Sequence, residues 1–178
     1  KELLRDPSVQ AVYISLPNHM HAEWTARAAS AGKHVLCEKP FTINESEARG
    51  TLETVKESRV FFMEAFMYRC HPQMDALRKL LAEGGIGKLG MIRASFSYGA
   101  PFDASVRAFD NDLAGGGILD VGGYPVSAVR LVAGAVRGKA FAEPLEVKGM
   151  AHLCETGTDP YAAAILRFDD DLLAEVSC

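Results

Sequence analysis

The sequence predicts two sheet architectures in succession: an α/β part with parallel strands over residues 1–68, then an α+β domain with an open, mainly antiparallel sheet over 69–178. Three observations carry this. The first third alternates short apolar runs with amphipathic stretches in the order β-α-β-α-β, and such alternation implies parallel strands joined by right-handed crossovers. After about residue 70 the order changes to helices followed by a run of strands. Within that second part, Leu89–Tyr98 alternates Ile92, Ala94, Phe96 and Tyr98 with Arg93, Ser95 and Ser97, the pattern of a strand with one wet face.

Taken in order, Lys1–Asp6 reads as the end of a helix broken at Pro7. Val12–Leu16 is a short apolar run of the kind found in parallel strands covered on both faces, and Pro17-Asn18 ends it. His21–Ser30 carries Trp24 and Ala28 at helical spacing, with Gly32 as the stop. His34–Glu38 is the next strand. Asn44 with Glu47 three residues on marks a helix start, and Ala48, Leu52 and Val55 share a helical face. Arg59–Phe66 is strand-like again. In the second part, Pro72 suits the first position of a helix whose Met74, Leu77 and Leu81 share a face before Gly84-Gly85. Residues 101–117 read as an irregular loop ending in Gly115-Gly116-Gly117. A helix follows from about Leu119 to Val132, stopped by Gly134. Leu145–Leu153, Tyr161–Phe168 and Leu172–Cys178 are strands, the last two joined by a turn at Asp169-Asp170-Asp171.

Composition narrows the class of partner. The net charge is −4, with 19 Lys and Arg against 23 Asp and Glu, which does not point to nucleic acid or an anionic membrane. No apolar run approaches the roughly 18 residues of a membrane span. Cys37, Cys70, Cys154 and Cys178 lie far apart without a Cys-x-x-Cys pair, so reduced thiols in a cytoplasmic protein are expected rather than a disulfide framework or structural zinc. His19 and His21 at i, i+2 entering a helix do not share a face, so no metal site is expected. The chain opens without an initiator Met and almost at once enters a strand. It reads as an internal piece of a longer polypeptide, its second domain incomplete at the C-terminus.

In open α/β sheets, ligands bind beyond the carboxyl ends of the strands. Two stretches fall there: Leu16-Pro17-Asn18-His19 and Glu38-Lys39-Pro40. Pro40 holds Lys39 extended and stiffens the turn, so an amine is presented over a ligand edge; the Lys39–Pro40 bond is a candidate for cis. Taken singly, each residue also has a plainer reading. Glu38-Lys39 fits a surface ion pair at a strand end. Tyr124 fits a core aromatic, Asp120 a helix N-cap, Gly115–Gly117 a flexible loop, and Arg69 and His71 strand-end surface residues.

Four segments together decide between these readings: Ser15-Leu16-Pro17-Asn18 with His21; Ala31-Gly32-Lys33-His34-Val35-Leu36-Cys37-Glu38-Lys39-Pro40; Glu64-Ala65-Phe66-Met67-Tyr68-Arg69-Cys70-His71-Pro72-Gln73; and Gly115-Gly116-Gly117-Ile118-Leu119-Asp120-Val121-Gly122-Gly123-Tyr124. In order and spacing they resemble the glucose-fructose oxidoreductase / inositol dehydrogenase (Gfo/Idh/MocA) family of NAD(P)-dependent enzymes. The resemblance implies a Rossmann domain, here its C-terminal part, followed by the α+β domain. It implies that Lys39 is the catalytic lysine, Tyr124 the proton donor or acceptor of the tyrosine-bearing branch, and Asp120 the acidic residue that helps hold substrate. That branch is similar to dihydrodiol and xylose dehydrogenases, which makes an aldose or vicinal diol the expected substrate and NADP or NAD the cofactor. Leu16, Pro17, Asn18, His21, Glu38, Lys39 and Arg69 are the implied cofactor-binding residues. The family's opening strand and G-x-G-x-x-G phosphate loop have no counterpart here.

The chemistry works in magnitude. A free tyrosine has a pKa near 10. Lowering it by two to three units requires about 3–4 kcal/mol, and one cation about 4 Å away supplies up to ~4 kcal/mol at an effective dielectric near 20. On this reading Lys39 and Tyr124 converge on one cleft, with loop side chains in 100–112 setting specificity. The other reading is a family member without catalysis, a dinucleotide or sugar sensor. By resemblance, the second-domain sheet is expected to pair subunits into a homodimer or homotetramer.

Overall fold

The computed structural model describes residues 2–178, which divide into two units: residues 2–66 with Asp112–Ala114, and Met67–Asn111 with Gly115–Cys178. In the first unit a short helix α1 (Glu2–Arg5) leads into β1 (Ala11–Ile14), α2 (His21–Ser30), β2 (His34–Glu38), α3 (Glu45–Ser58) and β3 (Phe62–Ala65). The expected β-α-β-α-β order is present, and the strands are parallel in the order β1-β2-β3. The expectation for Lys1 lies outside the described residues.

One expectation for this sheet fails. Val12, Ile14, Val35 and Cys37 pack with Ala28, Phe41 and Trp24, but Tyr13, Leu36 and Met63 on the opposite face are exposed. Among the described residues the sheet is therefore covered on one face, not both. The strand order explains it: with strands laid down in sequence, right-handed crossovers put α2 and α3 on the same side. α3 begins as expected, with the Asn44 side chain accepting a hydrogen bond from the Glu47 amide at 2.9 Å. Its buried face differs. Thr51 and Val55 are buried and Leu52 is exposed, because 3.6 residues per turn place Thr51 and Val55 to one side of Ala48 and Leu52 to the other. Lys33 is buried and donates to the carbonyls of Asp6 and Val9, both at 2.7 Å, tying the turn before β1 to the start of β2.

The second unit contains α4 (Pro72–Ala82), β4 (Met91–Ser95), a π-helical turn (Ile118–Gly122) running into α5 (Gly123–Ala135), then β5 (Glu146–His152), β6 (Tyr161–Arg167) and β7 (Leu173–Ser177). The sheet order is β4-β7-β6-β5; β5–β6 and β6–β7 are antiparallel and β4–β7 is parallel. α5 packs on β4 and β7, and Val129, Ala133, Leu166, Phe168, Leu172, Ala174 and Val176 form the core. The turn between β6 and β7 is where the triple aspartate puts it, with Asp170 and Asp171 both at positive φ.

α5 runs through Gly134 instead of ending there. A Cβ on Gly134 would lie 2.6 Å from the backbone of Phe141, so this glycine admits a crossing strand of chain and is not a stop. No helix among the described residues is long and apolar enough to cross a membrane.

Candidate active site

In the first unit the predicted residues gather at the carboxyl edge of the parallel sheet. β1 and β2 end side by side, and the turns that follow them carry Leu16-Pro17-Asn18 and Glu38-Lys39-Pro40. His21, fully buried, joins the two turns: one ring nitrogen lies 2.7 Å from the Leu16 carbonyl oxygen, the other 2.7 Å from that of Pro40. The Lys39–Pro40 peptide is cis. Both oxygens of Glu38 are engaged, accepting from the Tyr13 hydroxyl at 2.5 Å and from the Lys39 amide at 3.3 Å. The bond to Glu38 pushes the Tyr13 phenol above its ordinary pKa. Phe41, after the turn, donates its amide to Glu64 at 2.8 Å. Asn18 is buried, and its side-chain amide donates to the Ala114 carbonyl at 2.8 Å. Asn18 and His21 therefore brace this edge. Cys37, behind it, is buried against Thr25, and burial pushes its thiol up to about 11.

In the second unit Asp120 sits in the π-helical turn and Tyr124 in the first turn of α5. The Asp120 carboxylate accepts from the Tyr98 hydroxyl at 2.6 Å on one oxygen and faces Arg107 at 3.7 Å on the other. That bond raises the Tyr98 phenol above its ordinary pKa. Asp120 lies inside the π-helical turn, whose N-cap position is Gly117, and α5 is preceded by Gly122, so the N-cap reading of Asp120 does not hold. Tyr124 is half-buried, edge-on to Phe96 and Tyr68 with ring centroids 5.2 and 6.1 Å away, and its hydroxyl lies 3.5 Å from the Met67 sulfur. Arg69 is not a bare surface residue. Its guanidinium donates to Ser127 at 2.6 and 3.2 Å and stacks over Phe141 at 4.3 Å. The Tyr68 hydroxyl meets the same Ser127 oxygen at 2.7 Å.

A cavity of about 500 Å³ opens beside Asp120, lined among others by Tyr98, Phe102, Phe109, His152 and Tyr161. Its aromatic walls and few polar groups are the usual make-up of a small-molecule site. Phe102 and Phe109 bracket the loop in which specificity was expected. Sequence reasoning assigned no role in the site to Tyr98, and reached Arg107 only as one of the loop residues 100–112 expected to set specificity. Tyr98 was visible as the last residue of the alternating strand, but its partner lies 22 residues away. Among the described residues, no three His, Cys, Asp or Glu side chains gather to hold a metal ion.

Comparison with known proteins agrees with this architecture. Residues 1–66 match the oxidoreductase family profile with the NAD-binding Rossmann fold, and residues 74–178 match the GFO/IDH/MocA C-terminal domain. The D-xylose 1-dehydrogenase (NADP(+)) 2 of Haloferax volcanii is 38% identical over 98% of this chain and 51% of its own length. The human trans-1,2-dihydrobenzene-1,2-diol dehydrogenase is 35% identical over 100% of this chain and 51% of its own. KijD10, a 3-ketoreductase from Actinomadura kijaniata solved with NADP and TDP-benzene, superposes with a TM-score of 0.82 at 32% identity, covering 99% of this chain and 52% of that one. The chain thus spans about half the length of these relatives. With both of its parts matched in sequence and its fold matched in structure, this chain belongs to the GFO/IDH/MocA oxidoreductase family.

Proposed function

We propose that the full-length protein is an NAD(P)-dependent oxidoreductase that interconverts a hydroxyl and a carbonyl on an aldose or vicinal diol. The observation that carries this reading is the Asp120–Tyr124 turn: a carboxylate in the wall of an aromatic-lined cavity, with a tyrosine one helical turn later. The relatives named for xylose and dihydrodiol oxidation support the substrate class.

The carboxyl edge of the first sheet fits a nicotinamide dinucleotide, because parallel strands end there in two adjacent turns tied by one imidazole. Leu16, Pro17, Glu38 and Lys39 would hold it, with Asn18 and His21 keeping their backbone in place. When bound, the cofactor accepts or returns a hydride. In the oxidation direction Tyr124 takes the proton of the reacting hydroxyl. The Lys39 cation favours the ionised phenol and donates a hydrogen bond to the oxygen on which charge develops. Asp120, already oriented by Tyr98 and Arg107, accepts from a second substrate hydroxyl. Recognition of a diol or sugar needs such an acceptor beside the reacting carbon.

Reduction of NADP+ and NAD+ by the full-length protein, measured across a panel of aldoses and vicinal diols, tests this reading. Turnover with at least one member is expected. Cofactor binding without turnover on any of them would favour the sensor. For assembly, we propose a homo-oligomer built on the outer face of the second-unit sheet, where Met91, Met150, Tyr161, Ile165 and Leu173 are exposed. Val176 points into the core and takes no part. A monomer at micromolar concentration by light scattering would overturn it.

A further inference from the structure

We propose that Asp159 is a positioning residue for the reaction: it brackets the glycine run and the first helical turn that together carry Asp120 and Tyr124. This rests on the roles proposed above for those two residues. Asp159 lies in the connection between β5 and β6, 41 residues from the turn it holds. Three features meet at it. Its backbone carbonyl accepts from the Gly117 amide at 2.5 Å. Its carboxylate Oδ2 accepts from the Ile118 amide at 2.7 Å. Its Oδ1 faces Gly116 so closely that a Cβ there would lie 2.3 Å away.

Each feature has a physical reason. The first amides of a helix have no partner within it, and the positive end of the helix dipole favours an anion there. Neither the π-turn nor α5 carries a side-chain cap of its own. Asp159 supplies that cap from another element. Gly116, at φ +105°, takes a conformation that L side chains rarely adopt, and having no Cβ it admits the carboxylate. The Gly116 carbonyl in turn accepts from the Asp120 amide at 2.9 Å, so the bracketed run sets where Asp120 begins.

The bracket is itself held firmly. Thr158 beside it is buried, and the Cys154 amide donates to the Thr158 carbonyl at 2.9 Å, closing the connection on itself. Residues on both sides of the bracket line one cavity: Gly116, Gly117 and Asp120 from the helical turn, His152, Cys154 and Tyr161 from the β5–β6 connection and its flanking strands. Asp159 therefore fixes one wall of that cavity against the other. A carboxylate displaced by about 1 Å no longer meets a substrate hydroxyl in line, and such misplacement costs up to about a hundredfold in rate.

The test uses the full-length protein with Asp159→Ala, Asp159→Asn and Gly116→Ala. Asparagine keeps an oxygen acceptor for the Ile118 amide; alanine does not. Asp159→Ala is expected to lower kcat/KM for the alcohol substrate roughly tenfold to a hundredfold, with cofactor affinity within about twofold of wild type. Asp159→Asn is expected to recover most of the loss. Amide exchange at Ile118 and Asp120 is expected to quicken in Asp159→Ala and not in Asp159→Asn. Gly116→Ala, which pushes the same carboxylate aside, is expected to give the same split and decides the matter if Asp159→Ala does not fold. Wild-type kinetics and exchange in Asp159→Ala would overturn the inference. So would an asparagine variant as impaired as the alanine one, or an Ile118 amide that exchanges unprotected in the wild type. Absence of turnover in the wild type would count against the proposed function alone, since the exchange measurements still decide the role of Asp159.

Discussion

The two units hold their candidate residues in different ways. In the first, the ties run mostly from a side chain to backbone: His21 lies against the carbonyls of Leu16 and Pro40, Asn18 donates to the Ala114 carbonyl, and Glu38 accepts from the next amide along, beside the side-chain pair Tyr13–Glu38. In the second, side chains from separate elements meet one another, Tyr98 and Arg107 on Asp120 and Tyr68 and Arg69 on Ser127, with Asp159 reaching the Ile118 amide from a distant connection. A backbone edge gripped by one buried ring has a single arrangement and suits a group of fixed shape. A carboxylate aimed by a neighbouring phenol and guanidinium is re-aimed whenever either partner changes. The first construction suits a cofactor and the second a substrate.

If that contrast is right, the largest effect from the first unit comes from Lys39, the one charged group its edge is proposed to present to the reaction. Lys39→Met is expected to lower kcat by about 10²- to 10³-fold, the usual loss for one electrostatic donor, with little change in thermal stability. A rate within a few-fold of wild type would reject its role. His21→Ala comes next and acts on a different quantity. It removes the buried ring that lies between the Leu16 and Pro40 carbonyls and leaves a cavity behind, so a clear drop in the thermal midpoint is expected, together with weaker cofactor binding. An unchanged midpoint would show that the two turns stand without their bracket. The smallest effect is pH-dependent. Burial raises the Cys37 thiol to about 11 from a free value of roughly 8.5. The unfolded chain then loses this proton first, so stability is fully present below about pH 8.5 and falls as pH rises toward 11. Denaturant midpoints for wild type and Cys37→Ala across pH 8–11 check the sign, since the variant is expected to fall less steeply.

The same contrast explains what was legible in the sequence. Lys39, Pro40 and His21 stand in contiguous segments, where strand ends, a proline and a helix start can be read along the chain. The order of the strands and the Asp169–Asp171 turn were readable for the same reason. The single covering of the first sheet was not, because the faces covered depend on strand order in space. Leu52 was misplaced by one helical position, where a neighbouring threonine took the buried side. Gly134 has the composition of a stop, but its reason is Phe141, in a segment whose path no local pattern reveals. The partners of Asp120 lie 13 and 22 residues away on elements that only the fold brings together.

The central claim is that Tyr124 exchanges the proton of the reacting hydroxyl. Steady-state oxidation of an accepted aldose or diol by the full-length protein and its Tyr124→Phe variant, with circular dichroism and cofactor titration on both, measures it directly. The account predicts a kcat lower by about 10²- to 10⁴-fold, with fold and cofactor affinity kept. A variant that turns over within a few-fold of wild type would contradict it.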